Sequence, residues 1–125
     1  MMDSVTSSSV QMDCDSYIGR TYVIFGQNIK WQTSYSISSL GALLAGVKLV
    51  GTSSSECGCS VSNAGDVNKD GFDDLIIGGY NGDPQGRNNA GVAWIVLGRP
   101  ATGWTLMIDF GTLTLSDNVI TIEGA

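Results

Sequence analysis

Between Cys57 and Tyr80 the chain reads Cys57-Gly-Cys-Ser-Val-Ser-Asn-Ala-Gly-Asp-Val-Asn-Lys-Asp-Gly-Phe-Asp-Asp-Leu-Ile-Ile-Gly-Gly-Tyr80. Counted from Asp66, oxygen-bearing side chains stand at the first, third, fifth and ninth places: Asp66, Asn68, Asp70 and Asp74. A loop this short brings such groups together most easily around a cation. Hard divalent ions take six to eight oxygens, and Ca2+ tolerates the irregular geometry that a loop backbone offers. Alternate spacing lets Asp66, Asn68 and Asp70 converge while Val67 and Lys69 point outward. Gly71, at the sixth place, permits the positive φ of a sharp turn. The carbonyl of Phe72 falls at the seventh place, where a backbone ligand is expected, and Asp74 closes the set. The expected site is therefore Ca2+ on Asp66, Asn68, Asp70, Phe72 and Asp74.

The stretch begins like an EF-hand and does not continue as one. An EF-hand loop needs an acid at its twelfth place and a helix on either side. Here the twelfth residue is Ile77, inside the run Leu75-Ile76-Ile77, which has β-branched residues and no helical period. The same mismatch excludes a dockerin-type helix–loop–helix. The loop is thus expected to join two strands.

These residues resemble the FG-GAP repeat of integrin α-subunit β-propellers and of related bacterial and protist repeat proteins. Gly58, Ser60, Val61, Ala64, Gly65, Asp66, Val67, Asn68, Asp70, Gly71, Asp74, Leu75 and Gly78 match that pattern. Cys57 stands where the family has an aromatic residue, and Gly79-Tyr80 where it has Ala-Pro. Neither departure touches an expected ligand.

The rest of the chain repeats a related design. Gly19-Arg-Thr-Tyr-Val-Ile-Phe-Gly26 is an apolar run bounded by glycines, and Gly91-Val-Ala-Trp-Ile-Val-Leu-Gly98 restates it 72 positions later. Trp31 answers to Trp104, and Val47-Lys-Leu-Val-Gly51 to Ile120-Thr-Ile-Glu-Gly124. Repetition at a nearly fixed period decides an architecture before local detail does. The second unit has four expected strands, about 58–64, 73–79, 91–97 and 118–123, and a repeated four-stranded antiparallel sheet is a propeller blade. The expected fold is all-β, a propeller fragment of about one and a half blades. Residues 1–17 form a flexible leader, 18–51 the outer two strands of a preceding blade, and 52–125 one complete blade with the calcium loop. Residues 34–47 read as a loop with a helical turn, and their counterpart at 104–113 as extended. The runs Tyr22–Phe25, Leu75–Ile77 and Val92–Leu97 carry apolar residues on both faces, so neighbouring sheets are expected to cover both. Further blades, or further copies of the repeat, are the expected partners.

Composition narrows the function. The 125 residues carry a net charge of -6, with six Lys and Arg and no His. A chain without a basic face does not neutralise phosphates, which argues against nucleic acid. Without histidine it lacks the commonest general base near neutral pH and the commonest zinc ligand. No paired catalytic acids accompany the loop, so the chain is expected not to be an enzyme. No run approaches the roughly 18 apolar residues of a membrane span, and no signal peptide is visible. Cys57 and Cys59, two apart on a strand, point to one face and do not readily bridge each other. Cys14 is able to pair with either, and three cysteines leave one over. Small buried thiols are the simpler expectation. Gly78 to Gly86 is glycine-rich but opens no helix, so it reads as a turn and not a phosphate cradle.

The resemblance implies a structural calcium in a propeller that serves adhesion or ligand binding, outside the cell or at its surface, as part of a longer protein. The alternatives are an accessory propeller of a secreted hydrolase, such as the phospholipase D that cleaves glycosylphosphatidylinositol anchors, or a truncated product with no function of its own.

Overall fold

The computed structural model describes residues 19–26, 30–52, 60–79 and 90–124. The strands are β1 (Arg20–Ile24), β2 (Gly46–Val50), β3 (Ser60–Gly65), β4 (Asp74–Gly79), β5 (Val92–Val96), β6 (Met107–Asp109) and β7 (Val119–Glu123). Only short 3₁₀ turns interrupt them, and no α-helix occurs among the described residues. β1, β2, β4, β5 and β7 coincide with runs rich in Val, Ile, Leu and aromatic residues, which suit a pleated surface, whereas β3 (Ser-Val-Ser-Asn-Ala-Gly) and the three-residue β6 do not.

Two sheets result. One has four strands in the order β3-β4-β5-β7, every neighbour antiparallel. The other has three, in the order β1-β2-β6; β1 and β2 are antiparallel, and β6 joins β2 in parallel. The four expected strands of the second unit are all present. The first of them begins at Ser60, because residues 53–59 lie outside the described set, and with them Cys57 and Cys59; Cys14 lies outside it as well.

The internal repeat is visible in hydrogen-bond register. Arg20 pairs with Val50 and Ile24 with Gly46; in the other sheet Val92 pairs with Glu123 and Val96 with Val119. Moving the first strand of each pair by 72 and the second by 73 carries one ladder onto the other. The flanking bonds follow the same rule. The Phe25 amide donates to the Ala45 carbonyl at 3.0 Å, and that of Leu97 to Asn118 at 3.0 Å. Gly51 donates to the Gly19 carbonyl at 3.1 Å, and Gly124 to Gly91 at 2.8 Å. Gly19 and Gly91 both hold positive φ, 68° and 85°. Thus β1 corresponds to β5, and β2 to β7.

The core lies between the two sheets. Thr21 and Val23 on β1, Val47 and Leu49 on β2 and Ile108 on β6 are buried, as are Ile77 on β4 and Trp94 and Val96 on β5. The Trp94 ring stacks on Phe110, just past β6, with centroids 4.6 Å apart and planes 22° from parallel. β6 is therefore a strap, leaving the four-stranded sheet after β5 to join the other before returning as β7. The stretch 104–113, expected to be extended, holds only this three-residue strand. Its counterpart carries a 3₁₀ turn at Ile37–Ser39, with Ser36 as N-cap.

Register sorts the four-stranded sheet into two faces. Val61, Ile77 and Trp94 share the covered one. Ile76, Ile95 and Ile120 share the other, with Ala93 and Ile122 beside them. Ile120 and Ile122 are 45% and 48% exposed. A shallow apolar hollow of about 500 Å³ along this open face is bounded by Ser60, Gly78, Ala93 and Ile122. Among the described residues, one face of each sheet is buried against the other sheet, and the second face is half-buried or exposed.

Candidate metal centre

The β3–β4 connection is shaped before its acidic residues are considered. The ladder slips after Asn63, which lies opposite Leu75: Gly65 pairs with Asp74, where unbroken antiparallel pairing would place Ala64. Gly65 has a φ of 72°, and its amide donates to the Asn63 side chain. Such a bulge bends the strand and re-aims the residues that come after it. The chain then turns twice through the left-handed region, at Lys69 (φ 59°) and Gly71 (φ 95°). Glycine at 71 meets the need foreseen from the sequence. Lys69 is a side-chain-bearing residue in a conformation that ordinarily costs about 1–2 kcal/mol.

Asp66 holds the turn against that cost. Its Oδ1 accepts from the Asp70 amide at 3.0 Å and its Oδ2 from the Gly71 amide at 2.8 Å. Asp70 Oδ1 accepts from the Phe72 amide at 3.0 Å, and its Oδ2 from the Asn68 Nδ2 at 3.1 Å. The Phe72 amide, with the Asn68 amide and Asp66 after it, holds the Asp70 carboxyl below its ordinary value of 3.8. Hydrogen bonds to the charged form favour it, and here they outweigh the small desolvation that acts the other way. Asp66, Asn68 and Asp70 thus lie on one short, exposed to half-buried turn as oxygen donors.

Asp74 is differently placed. It is fully buried at the start of β4. Its Oδ2 accepts from the Val67 amide at 2.7 Å and its Oδ1 from the Gly98 amide at 2.7 Å. Charge-assisted bonds of this length are the strong kind. One carboxylate therefore ties the loop to the end of β5. Gly98 is the partner that sequence reading missed. It stood out only as the glycine closing an apolar run. A Cβ there would lie 2.1 Å from the Asp73 carbonyl oxygen and 3.1 Å from the Phe72 Cβ, so only glycine lets the two segments meet. Asp73 itself is exposed, as a flank of the loop.

Among the described residues, no three His, Cys, Asp or Glu side chains are gathered closely enough to hold a metal by themselves. A cation held here would need Asn68 and a backbone carbonyl, the expected one being that of Phe72, in addition to the carboxylates. The donor set is all oxygen, which fits a hard cation such as Ca2+ in chemistry. Each carboxylate oxygen has capacity beyond the single amide it accepts.

The glycine turn, the bulge and the strand on each side can be compared with known families. Residues 60–96 match the FG-GAP repeat family. The FG-GAP segment takes in β3, the loop, β4 and β5, and FG-GAP repeats form β-propeller blades. The chain is accordingly all-β and a fragment of a propeller. No curated protein and no solved structure matches the chain. Among the described residues no helix is long and apolar enough to cross a membrane.

Proposed function

We propose that this chain is a calcium-binding portion of a propeller in an extracellular adhesion or ligand-binding protein, of the kind seen in integrin α-subunits. Residues 18–51 supply the outer two strands of one blade and residues 52–125 the next, with residues 1–17 leading in. Its role is binding and support, not catalysis, and its immediate partners are neighbouring blades.

The observation that carries this reading is the loop from Asp66 to Asp74. Oxygen donors alone occupy its ligand positions, Asp70 stays ionised, and Asp74 anchors the turn to β5. Ca2+, when bound, supplies positive charge at the mouth of this turn. The residues do the rest: Asp66 and Asp70 present negative oxygens, Asn68 and the Phe72 carbonyl add neutral ones, and Asp74 fixes the loop against the sheet. The metal role is read as structural: among the described residues, nothing beside the loop is arranged to move a proton or attack a substrate. Ile120 and Ile122 on the open face support the association with a further blade. Their counterparts by register, Val47 and Leu49, are fully buried against the adjoining sheet.

Calorimetric titration with calcium at neutral pH tests the metal. One site per chain is expected, with a dissociation constant of roughly 10⁻⁴–10⁻³ M, the range of extracellular modules. The pair Asp66→Asn and Asp70→Asn should abolish the heat. A folded chain that gives no heat at millimolar calcium overturns the metal assignment.

A further inference from the structure

A continuous set of short bonds joins the acidic loop to the contact between the two repeat units. Asp74 Oδ1 accepts from the Gly98 amide at 2.7 Å, and Arg99 follows directly in the chain. Arg99 grips Trp104 twice. Its carbonyl accepts from the indole Nε1 at 3.3 Å, and its guanidinium lies over the ring at 4.3 Å from the centroid. That guanidinium is itself held in place, since Nε and Nη2 donate to the Leu97 carbonyl at 3.0 and 2.8 Å. The Trp104 ring in turn meets Phe25, with centroids 5.7 Å apart. Phe25 belongs to the first unit, where its amide donates to Ala45.

We propose, on the calcium reading above, that cation binding at the loop tightens the contact between the two units by way of Asp74, Arg99 and Trp104. An ion on Asp66, Asn68, Asp70 and the Phe72 carbonyl restrains the turn from which Val67 donates to Asp74 Oδ2. One rigid carboxylate serves both amides, so a restrained Val67 keeps the other oxygen aimed at Gly98. A Cβ at Gly98 has no room beside Asp73, so a displacement of that backbone reaches Arg99 without a side chain to absorb it. The Asp74–Gly98 bond, made or broken, is the two-state element that both ends bias. Such coupling is reciprocal: what calcium adds to the junction, the junction returns as calcium affinity. Trp31 supplies an internal contrast. It packs edge-on to Tyr35 at 5.8 Å, both within the first unit.

The test uses the full chain, isotopically labelled at tryptophan, with calcium chloride as the probe. The indole N–H signal of Trp104, assigned by Trp104→Phe, should move with the same midpoint as the calorimetric heat, and that of Trp31 should stay in place. Phe25→Leu touches no expected ligand, yet should weaken calcium binding about fivefold, the lower end of ordinary coupling between sites. Tyr35→Leu, which loosens Trp31 instead, should leave the affinity unchanged. Circular dichroism checks that both variants keep their strands, and the unsubstituted chain decides the Trp104 signal without them. Calcium heat with a stationary Trp104 signal, or with equal affinity in folded Phe25→Leu, overturns the coupling and leaves the metal assignment standing. A folded chain with neither heat nor movement overturns both.

Discussion

The β1–β2 and β5–β7 ladders share one register, and the same positions meet opposite fates. Thr21, Val23, Val47 and Leu49 are buried; Ala93, Ile95, Ile120 and Ile122, their counterparts, are half-buried or exposed. On the other face the order reverses, with Trp94 buried and its counterpart Tyr22 only partly so. Nothing in the strands themselves explains this. What lies across from each face does. The repeat encodes a sheet that is adhesive on both sides, and position in the stack decides which side is satisfied.

The sharpest way to break that comparison is to remove the aromatic side chain from each ladder in turn. Trp94→Ala takes out a buried ring stacked on Phe110 and should cost about 3–5 kcal/mol. Tyr22→Ala should cost less, about 1 kcal/mol, since Tyr22 is only half-buried among the described residues. Urea unfolding followed by circular dichroism, at one fixed protein concentration, checks both. Equal losses would mean that the outer face of β1 is covered after all.

Next come the glycines that end the two runs. Gly98→Ala forces a methyl group against the Asp73 carbonyl and displaces the amide that Asp74 accepts, so a loss of roughly 2–3 kcal/mol is expected. Gly26→Ala, at the exposed counterpart, should stay within about 0.5 kcal/mol. The same melts decide, and parity between the two would remove Asp74 as the tie between loop and sheet.

A smaller effect, of opposite sign, is expected at Thr21. Its hydroxyl is buried and has no hydrogen-bond partner among the described residues, while the equivalent residue on the open face is Ala93. Thr21→Val should raise stability by about 1 kcal/mol, because an unsatisfied buried hydroxyl is lost and a methyl gained. A drop in the melting temperature would show that the hydroxyl is bonded in solution.

The smallest effect concerns pH. A carboxyl whose folded value is depressed contributes stability above its unfolded value and loses it as pH falls through the folded one. For Asp70 that loss should lie below 3.8. Carbon-13 titration of the Asp70 carboxyl measures it directly, and a midpoint at or above 3.8 would mean that the Phe72 amide does not hold it.

Much of this molecule was legible in its residues. The strands of the second unit follow from glycine-bounded β-branched runs, and the repeat from the likeness of Gly19–Gly26 to Gly91–Gly98. Gly71 announced its turn. Other features depend on partners far away in the chain. A three-residue strand such as β6 has too little pattern to declare that it will cross to the other sheet. Trp31 and Trp104 match in sequence and part company in space. Trp104 packs against Phe25 at 5.7 Å and beneath the Arg99 guanidinium at 4.3 Å, while Trp31 meets only the edge of Tyr35 among the ring contacts described. Phe25 belongs to the preceding unit, and no earlier described unit offers Trp31 the same surface. At the loop, spacing pointed to the donors, but it gave no hint that Asp74 would be buried with Gly98.

That buried carboxylate changes the order in which events are able to happen. A negative charge removed from water must be answered, and a site that relied on its cation for the answer would stay unfolded until the cation came. Here the amides of Val67 and Gly98 already answer it. The hairpin is therefore free to close during synthesis, in whatever ionic surroundings the ribosome provides. No cation is required to answer that charge, so the loop and the sheet are joined by protein groups alone.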